Sequence, residues 1–227
     1  MTASLSSEAI QAFIHAYPGM AVLPAIGVDV TFRGEFQFSA AWGGVEVTDA
    51  YQLQIVVPVY PEGLPQVFEV GGRIQPVADE HAFPNGQLCL GSALRLRTVI
   101  GKTLDMVGFA DRCIVPFLYA TTRRVAERRF VLGELEHGRG GLIADYQELL
   151  DVQDEAAVRA TLRILTTKPT SADRHPCPCG CGQRLGQCEY RHRICRLRAL
   201  APRKTFRQIF DSTFPSPKKH TVAKQPN

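Results

Sequence analysis

Five of the seven cysteines fall between positions 177 and 195, in the run His175-Pro-Cys177-Pro-Cys179-Gly-Cys181-Gly-Gln-Arg-Leu-Gly-Gln-Cys188-Glu-Tyr-Arg-His192-Arg-Ile-Cys195. That density constrains the last quarter of the chain more than any hydrophobic period does. Residues 1–7 lack the basic segment and apolar core of a signal peptide, so a cytoplasmic protein is expected. No run approaches the roughly 18 apolar residues that cross a bilayer, and no membrane association is expected. Thiols stay reduced in the cytoplasm, where clustered cysteines bind metal more often than they form disulfides.

Zinc takes four thiolate or imidazole ligands in a tetrahedron. Cys177-x-Cys179 on a Pro/Gly-rich knuckle can present two sulfurs to one ion, with Gly180 free to adopt an unusual backbone conformation. If Cys188 starts a helix, His192 lies one turn further along the same face. The expected ligands are therefore Cys177, Cys179, Cys188 and His192, with Cys195 and Cys181 as alternatives for the fourth. The segment resembles the SEC-C zinc motif, matching its Cys-Pro-Cys-Gly opening and the cysteine at Cys188. It departs at Glu189, where that motif has Cys or His. A closed four-ligand set implies structural zinc, and the resemblance implies a module that binds protein or nucleic acid.

Charge is distributed unevenly. Residues 174–227 hold twelve Lys or Arg against two acids, whereas residues 1–173 hold fourteen against twenty. An acidic body with a basic end gives either a solvated tail or a surface for nucleic acid or a protein partner.

The rest of the chain reads as α+β. Ser6-Ser7-Glu8 ahead of Ile10, Phe13 and Ile14 predicts a capped amphipathic helix stopped by Pro18-Gly19. Val28, Val30 and Phe32 alternate with polar residues, as do Phe36 and Phe38 after Gly34, which predicts a hairpin there. Tyr51, Leu53, Ile55 and Val57 predict another strand, and 66–70 a short last one. Residues 71–97 show no period and read as a long functional loop. Helices are expected over 103–129, kinked by Pro116, and over 142–152 and 154–165. Residues 166–174 read as a linker, 175–214 as a basic zinc module with helices near 189–200 and 206–214, and 215–227 as a disordered tail.

Within this layout one cysteine stands apart. Helix, antiparallel meander, irregular loop with a lone Cys89, then helices: this order resembles ubiquitin-conjugating enzymes, over about residues 6–129. Tyr60-Pro61, Pro65, His81 and Asn85-Gly86-Gln87-Leu88-Cys89-Leu90 carry the resemblance, the last run being similar to the family's Asn-Gly-x-Ile-Cys-Leu. The segment Gly133-Glu-Leu-Glu136-His137-Gly138 is similar to one in divergent bacterial members. The resemblance implies a conjugating-type domain over 1–165, with Cys89 as the thioester-forming nucleophile. It further implies a partner protein joined through its C-terminus, such as a cGAS-like nucleotidyltransferase in a bacterial antiphage (CBASS) system. The family's Pro-Asn after the histidine is replaced by Ala82-Phe83, so its usual oxyanion-stabilising amide is absent.

Such a transferase needs an accessible thiol, a stabilised oxyanion and a proton acceptor for the attacking amine. Cys89 supplies the first. Asn85, His81, Asp79 and Glu80 are candidates for the others, although Asn85-Gly86 also reads as a tight turn and His81 as a structural histidine. Leu88 and Leu90 anchor the loop. Cys113, at helical spacing from Phe109 and Phe117, reads as core, and Arg123, Arg124, Arg128 and Arg129 as a solvated face or a docking surface for an acidic partner. The alternative is an inactive scaffold of the same fold, or a nucleic-acid-binding zinc protein.

Overall fold

Ser6 starts the first helix as the sequence predicts: its hydroxyl accepts a hydrogen bond from Ala9 N–H at 3.2 Å, and α1 runs Ser7–Ala16. The computed structural model describes residues 5–24, 27–127 and 138–215. α1 fully buries Phe13 against Phe32, ring centroids 4.5 Å apart, and Tyr17 stacks on Phe36 at 4.3 Å. Burying a side chain of this size stabilises the fold by about 2–3 kcal/mol.

The sheet is an antiparallel meander in the order β1-β2-β3-β4, comprising β1 Met20–Val22, β2 Val30–Trp42, β3 Val45–Val57 and β4 Gln66–Glu69. Phe32, Phe36, Phe38, Tyr51, Leu53, Ile55 and Val57 turn one face into a core. The hairpin expected at Gly34 is not there. Gly34 sits inside β2 opposite Leu53, and the chain reverses at Gly43-Gly44, both with positive φ. A Cβ on Gly34 would lie 2.2 Å from Gly19 O, so this glycine serves the close approach of β1 to β2.

The expected loop 71–97 also contains more order than its sequence suggests. A single turn at Ala78–Glu80 is followed by a short hairpin and then by α2, Ala93–Ile100, capped by Ser92. The predicted helix 103–129 is broken into α3 Met106–Phe109, a π-turn over Ala110–Ile114, and α4 Val115–Glu127. Pro116 has no N–H for the usual acceptor, and Val115 N–H reaches back to Ala110 O instead.

A second core follows. α5 Gly138–Leu150 and α6 Glu155–Thr166 pack with α7 Pro169–Ala172, α8 Tyr190–Arg198 and α9 Arg203–Thr213. Val158, Leu162, Leu165, Ala172, Leu185 and Phe206 are all at most 1% exposed within it. Residues 166–174 are thus no bare linker, since α7 buries Ala172. The expected boundary at 165 falls inside a shared core, because α5 and α6 pack with the cysteine segment. α2 joins the two cores: Leu94 packs into the second, Leu96 and Ile100 into the first. The tail 216–227, Arg128, Arg129 and the segment 133–137 lie outside the described residues. Among the described residues, no helix is long and apolar enough to cross a membrane.

Candidate functional site

Cys89 stands at the end of a hairpin whose geometry follows from four residues. Phe83 N–H donates to Gln87 O at 2.8 Å, and Gly86 N–H to Phe83 O at 2.8 Å, with Gly86 at φ 81°. Asn85 Oδ1 accepts from Gln87 N–H at 3.1 Å. Asn85 therefore belongs to the turn: its side-chain oxygen closes the reversal, and it does not line the cleft that Cys89 faces. A catalytic role for the Asn85 amide has no geometric support here. At the other end of the hairpin, Cys89 N–H donates to His81 O at 2.7 Å, and Leu88 N–H donates to Val67 O at 2.7 Å, tying the loop to β4. Leu88 is buried, the anchor expected of it.

Cys89 is half-buried and opens onto a cleft of about 620 Å³. His81, held in a left-handed conformation at φ 50°, lines the same cleft, as do Ser92 and Ala93 at the start of α2. The opposite sides come from α5 (Gly138, Gly141, Leu142, Asp145) and from one stripe running from the π-turn along α4: Cys113, Pro116, Phe117, Ala120, Thr121 and Arg124. That stripe has helical spacing. Cys113 shares the cleft but is buried, and burial pushes its thiol up to about 11, so it stays protonated at neutral pH. Cys89 is the more accessible of the two sulfurs.

Two further expectations change. Arg124 lines the cleft rather than a free outer face; its guanidinium pairs with Glu80 at 2.6 Å and donates to Asp79 O. Glu80 is thereby engaged, and Asp79 is exposed and away from the cleft. Asp145, Ser92 and Arg112 were not identified from sequence. Ser92 carries a local cap signal, but Asp145 and Arg112 share the cleft with Cys89 only through packing between elements far apart in the chain.

The cysteine segment folds as a knuckle. Cys177 N–H donates to Gln183 O at 2.8 Å and Leu185 N–H to His175 O at 2.9 Å, while Gly180 and Gly182 take positive φ to reverse the chain between them. The four sulfurs of Cys177, Cys179, Cys181 and Cys188 all lie within 4.8 Å of one another, a group that can hold a metal ion. Cys177 and Cys179 are 3.2 Å apart, Cys179 and Cys188 3.7 Å. The separation for zinc with bonds of 2.3 Å is about 3.8 Å. The fourth member is thus Cys181, not His192. The expected i, i+4 geometry required Cys188 to be helical, but Cys188 is extended at φ −110°, ψ 142°, and α8 begins only at Tyr190. His192 and Cys195 are exposed on α8, outside the group.

Burial raises the Cys177 thiol, whereas the Gln183 backbone N–H lowers that of Cys181. Tyr190 hydroxyl donates to Leu150 O at 2.6 Å and fastens the knuckle to α5. Three of the arginines on α8 are engaged within the protein: Arg191 with Asp173, Arg193 with Asp151 and Leu149 O, Arg198 with Ile164 O and Thr167 O. The basic helix is therefore less of an open cationic face than its composition implies. Comparison with protein-family models, curated proteins and solved structures found no match to this chain.

Proposed function

We propose that the protein is an acyl carrier of the ubiquitin-conjugating type, in which Cys89 takes up the C-terminal carboxyl group of a partner protein as a thioester. The observation that supports this most is the placement of Cys89: a half-buried thiol lining a cleft of about 620 Å³, its backbone locked to His81 by the hairpin. The thiolate attacks an activated carbonyl carbon, forming a carbon–sulfur bond and expelling the activating group. Ala93, in the first turn of α2, borders the same cleft; Ser92 Oγ takes the Arg95 N–H, which leaves the Ala93 and Leu94 N–H groups without an intrahelical acceptor and able to donate to a developing oxyanion. His81 shapes the loop through its backbone and lines the same cleft as Cys89.

The conjugated partner implied by the resemblance is a cGAS-like nucleotidyltransferase of a bacterial antiphage system. This part of the reading rests on analogy of fold and motif alone. For the second core the reading is a structural zinc ion on Cys177, Cys179, Cys181 and Cys188, which ties the knuckle to α8.

Cys89→Ala decides the question. Wild-type protein incubated with the partner and its activating system should form an adduct that thiols cleave, and the variant should not, with unchanged thermal stability. Absence of a wild-type adduct would refute the carrier reading and favour an inactive scaffold. One observation supports that second reading: among the described residues, no Asn or Gln side chain lines the cleft.

A further inference from the structure

Three arginines of α8 are engaged within the protein, but those of the neighbouring helix pair stand open. α6 and α9 pack antiparallel. At one end Arg159 Cζ, early on α6, lies 4.1 Å from the ring centroid of Phe214, just past α9. At the other end Arg198, ahead of α9, donates to Ile164 O and Thr167 O where α6 stops. Val158, Leu162 and Leu165 turn one face of α6 inward, and Phe206, Ile209 and Thr213 do the same for α9. The remaining arginines fall on the outer side along the seam of the pair. Arg159 and Arg163 are one turn apart on α6, Arg203 and Arg207 one turn apart on α9, and all four are exposed.

The guanidinium groups of Arg163, Arg203 and Arg207 form no ion pair or hydrogen bond with the described residues. Of the two acids on these helices, Glu155 pairs with Arg139, which leaves Asp211 against four arginines. Burial lowers the Arg198 guanidinium, and the nearby Arg203 and Arg191 push the same way, so the positive field continues past the end of α6. Like charges one turn apart repel, and an anion laid along the row removes that repulsion.

The surface itself selects the anion. From Arg159 to its end α6 runs about 10 Å, so the row meets several charges of an extended polyanion. Guanidinium forks match phosphate oxygens two at a time. Every large exposed apolar side chain among the described residues lies at or before Val125, so this face lacks the apolar anchors of a protein interface or a membrane-inserting surface. The arginines share one seam, the footprint of one strand, whereas a duplex presents two strands either side of a groove about 12 Å wide. Arg159, held over Phe214 by a cation–π contact, is a platform on which a base can stack.

We propose that the seam between α6 and α9 binds single-stranded nucleic acid, with phosphates on Arg163, Arg203 and Arg207 and a base on Arg159. It shares no residue with the lining of the Cys89 cleft and does not depend on the carrier reading.

The probe is a fluorescein-labelled uridine 12-mer, its anisotropy followed with the full-length protein from 50 to 200 mM KCl. Three phosphate contacts on a single strand give log K against log salt a slope of about −2. Arg163→Gln with Arg207→Gln removes two of them without touching either core. The pair should weaken binding about tenfold at 100 mM KCl and flatten the slope to about −0.7. Lys218→Gln with Lys219→Gln, in the basic tail, should leave both values close to wild type. Failure of wild type to bind, equal binding by the seam variant, or a loss confined to the tail variant would overturn the proposal. So would tighter binding of a 12-bp RNA duplex, a labelled glutamate 12-mer or phosphatidylserine vesicles than of the uridine strand. Should the double variant melt early, Arg203→Gln alone decides: a slope flatter by about 0.7 supports the seam, and an unchanged slope overturns it.

Discussion

Replacing Cys181 by serine and, separately, His192 by alanine discriminates between the two ways of closing the proposed zinc site. The four cysteine sulfurs lie within 4.8 Å of one another, with measured pairs at 3.2 and 3.7 Å, so sub-ångström adjustments bring them to the roughly 3.8 Å edges of a zinc tetrahedron. His192 stands exposed on α8, outside that group. Structural zinc sites bind with about 10–16 kcal/mol, so one ligand of four carries roughly 3 kcal/mol, or about two orders of magnitude in affinity. Cys181→Ser should therefore weaken zinc binding about 100-fold in a competition titration against a coloured chelator at pH 7. His192→Ala should leave it within about threefold of wild type. A large loss with His192→Ala and none with Cys181→Ser would refute the four-cysteine reading.

Three other outcomes follow from packing and charge. Leu162→Ala, at a fully buried position in the second core, should destabilise the protein by about 2–5 kcal/mol in urea denaturation, and zinc should be released at lower urea because the same core backs Cys177. Asp49 is held down to about 2, chiefly by its hydrogen bonds to Arg73 and also by Ala50 N–H and Thr122. A lowered carboxylate contributes stability that is complete above the ordinary carboxylate range and lost as pH falls through about 2. Asp49→Asn should thus cost about 1 kcal/mol at pH 7, after allowance for solvent screening, and the difference should vanish in thermal melts near pH 2. Asn85→Ala removes only a turn hydrogen bond, so it should cost under about 1 kcal/mol and leave peptide loading on Cys89 unchanged; a large loss of loading would restore a catalytic role to Asn85.

Local chemistry was legible wherever neighbours in sequence are neighbours in space. Ser6 and Asp154 cap the helices they precede, the alternating residues of β2 and β3 form the core face, and Asn85-Gly86 makes a turn. Errors arose where one local signal had two structural meanings. Gly34 looked like a turn because glycine permits one, yet it is required where β1 crosses β2 at a separation no Cβ allows. The arginines of α4 looked like a solvated face, but Arg124 closes a cleft by pairing with Glu80 from a segment 44 positions away. α2 was missed because its apolar residues divide between two cores, Leu94 facing one and Leu96 and Ile100 the other, which erases a single-sided period.

The sequence by itself determined the α+β class, the lone cysteine on a turn-bearing loop and the existence of a sulfur-rich knuckle, because each depends on short-range spacing and backbone preference. The tertiary structure alone decided that Cys181 rather than His192 completes the sulfur group, since one extended residue at Cys188 removes the helical register on which the histidine depended. It likewise decided that Asp145 shares a cleft with Cys89. Residues 56 positions apart line one cleft because α2 packs against both cores, and no local pattern encodes that placement.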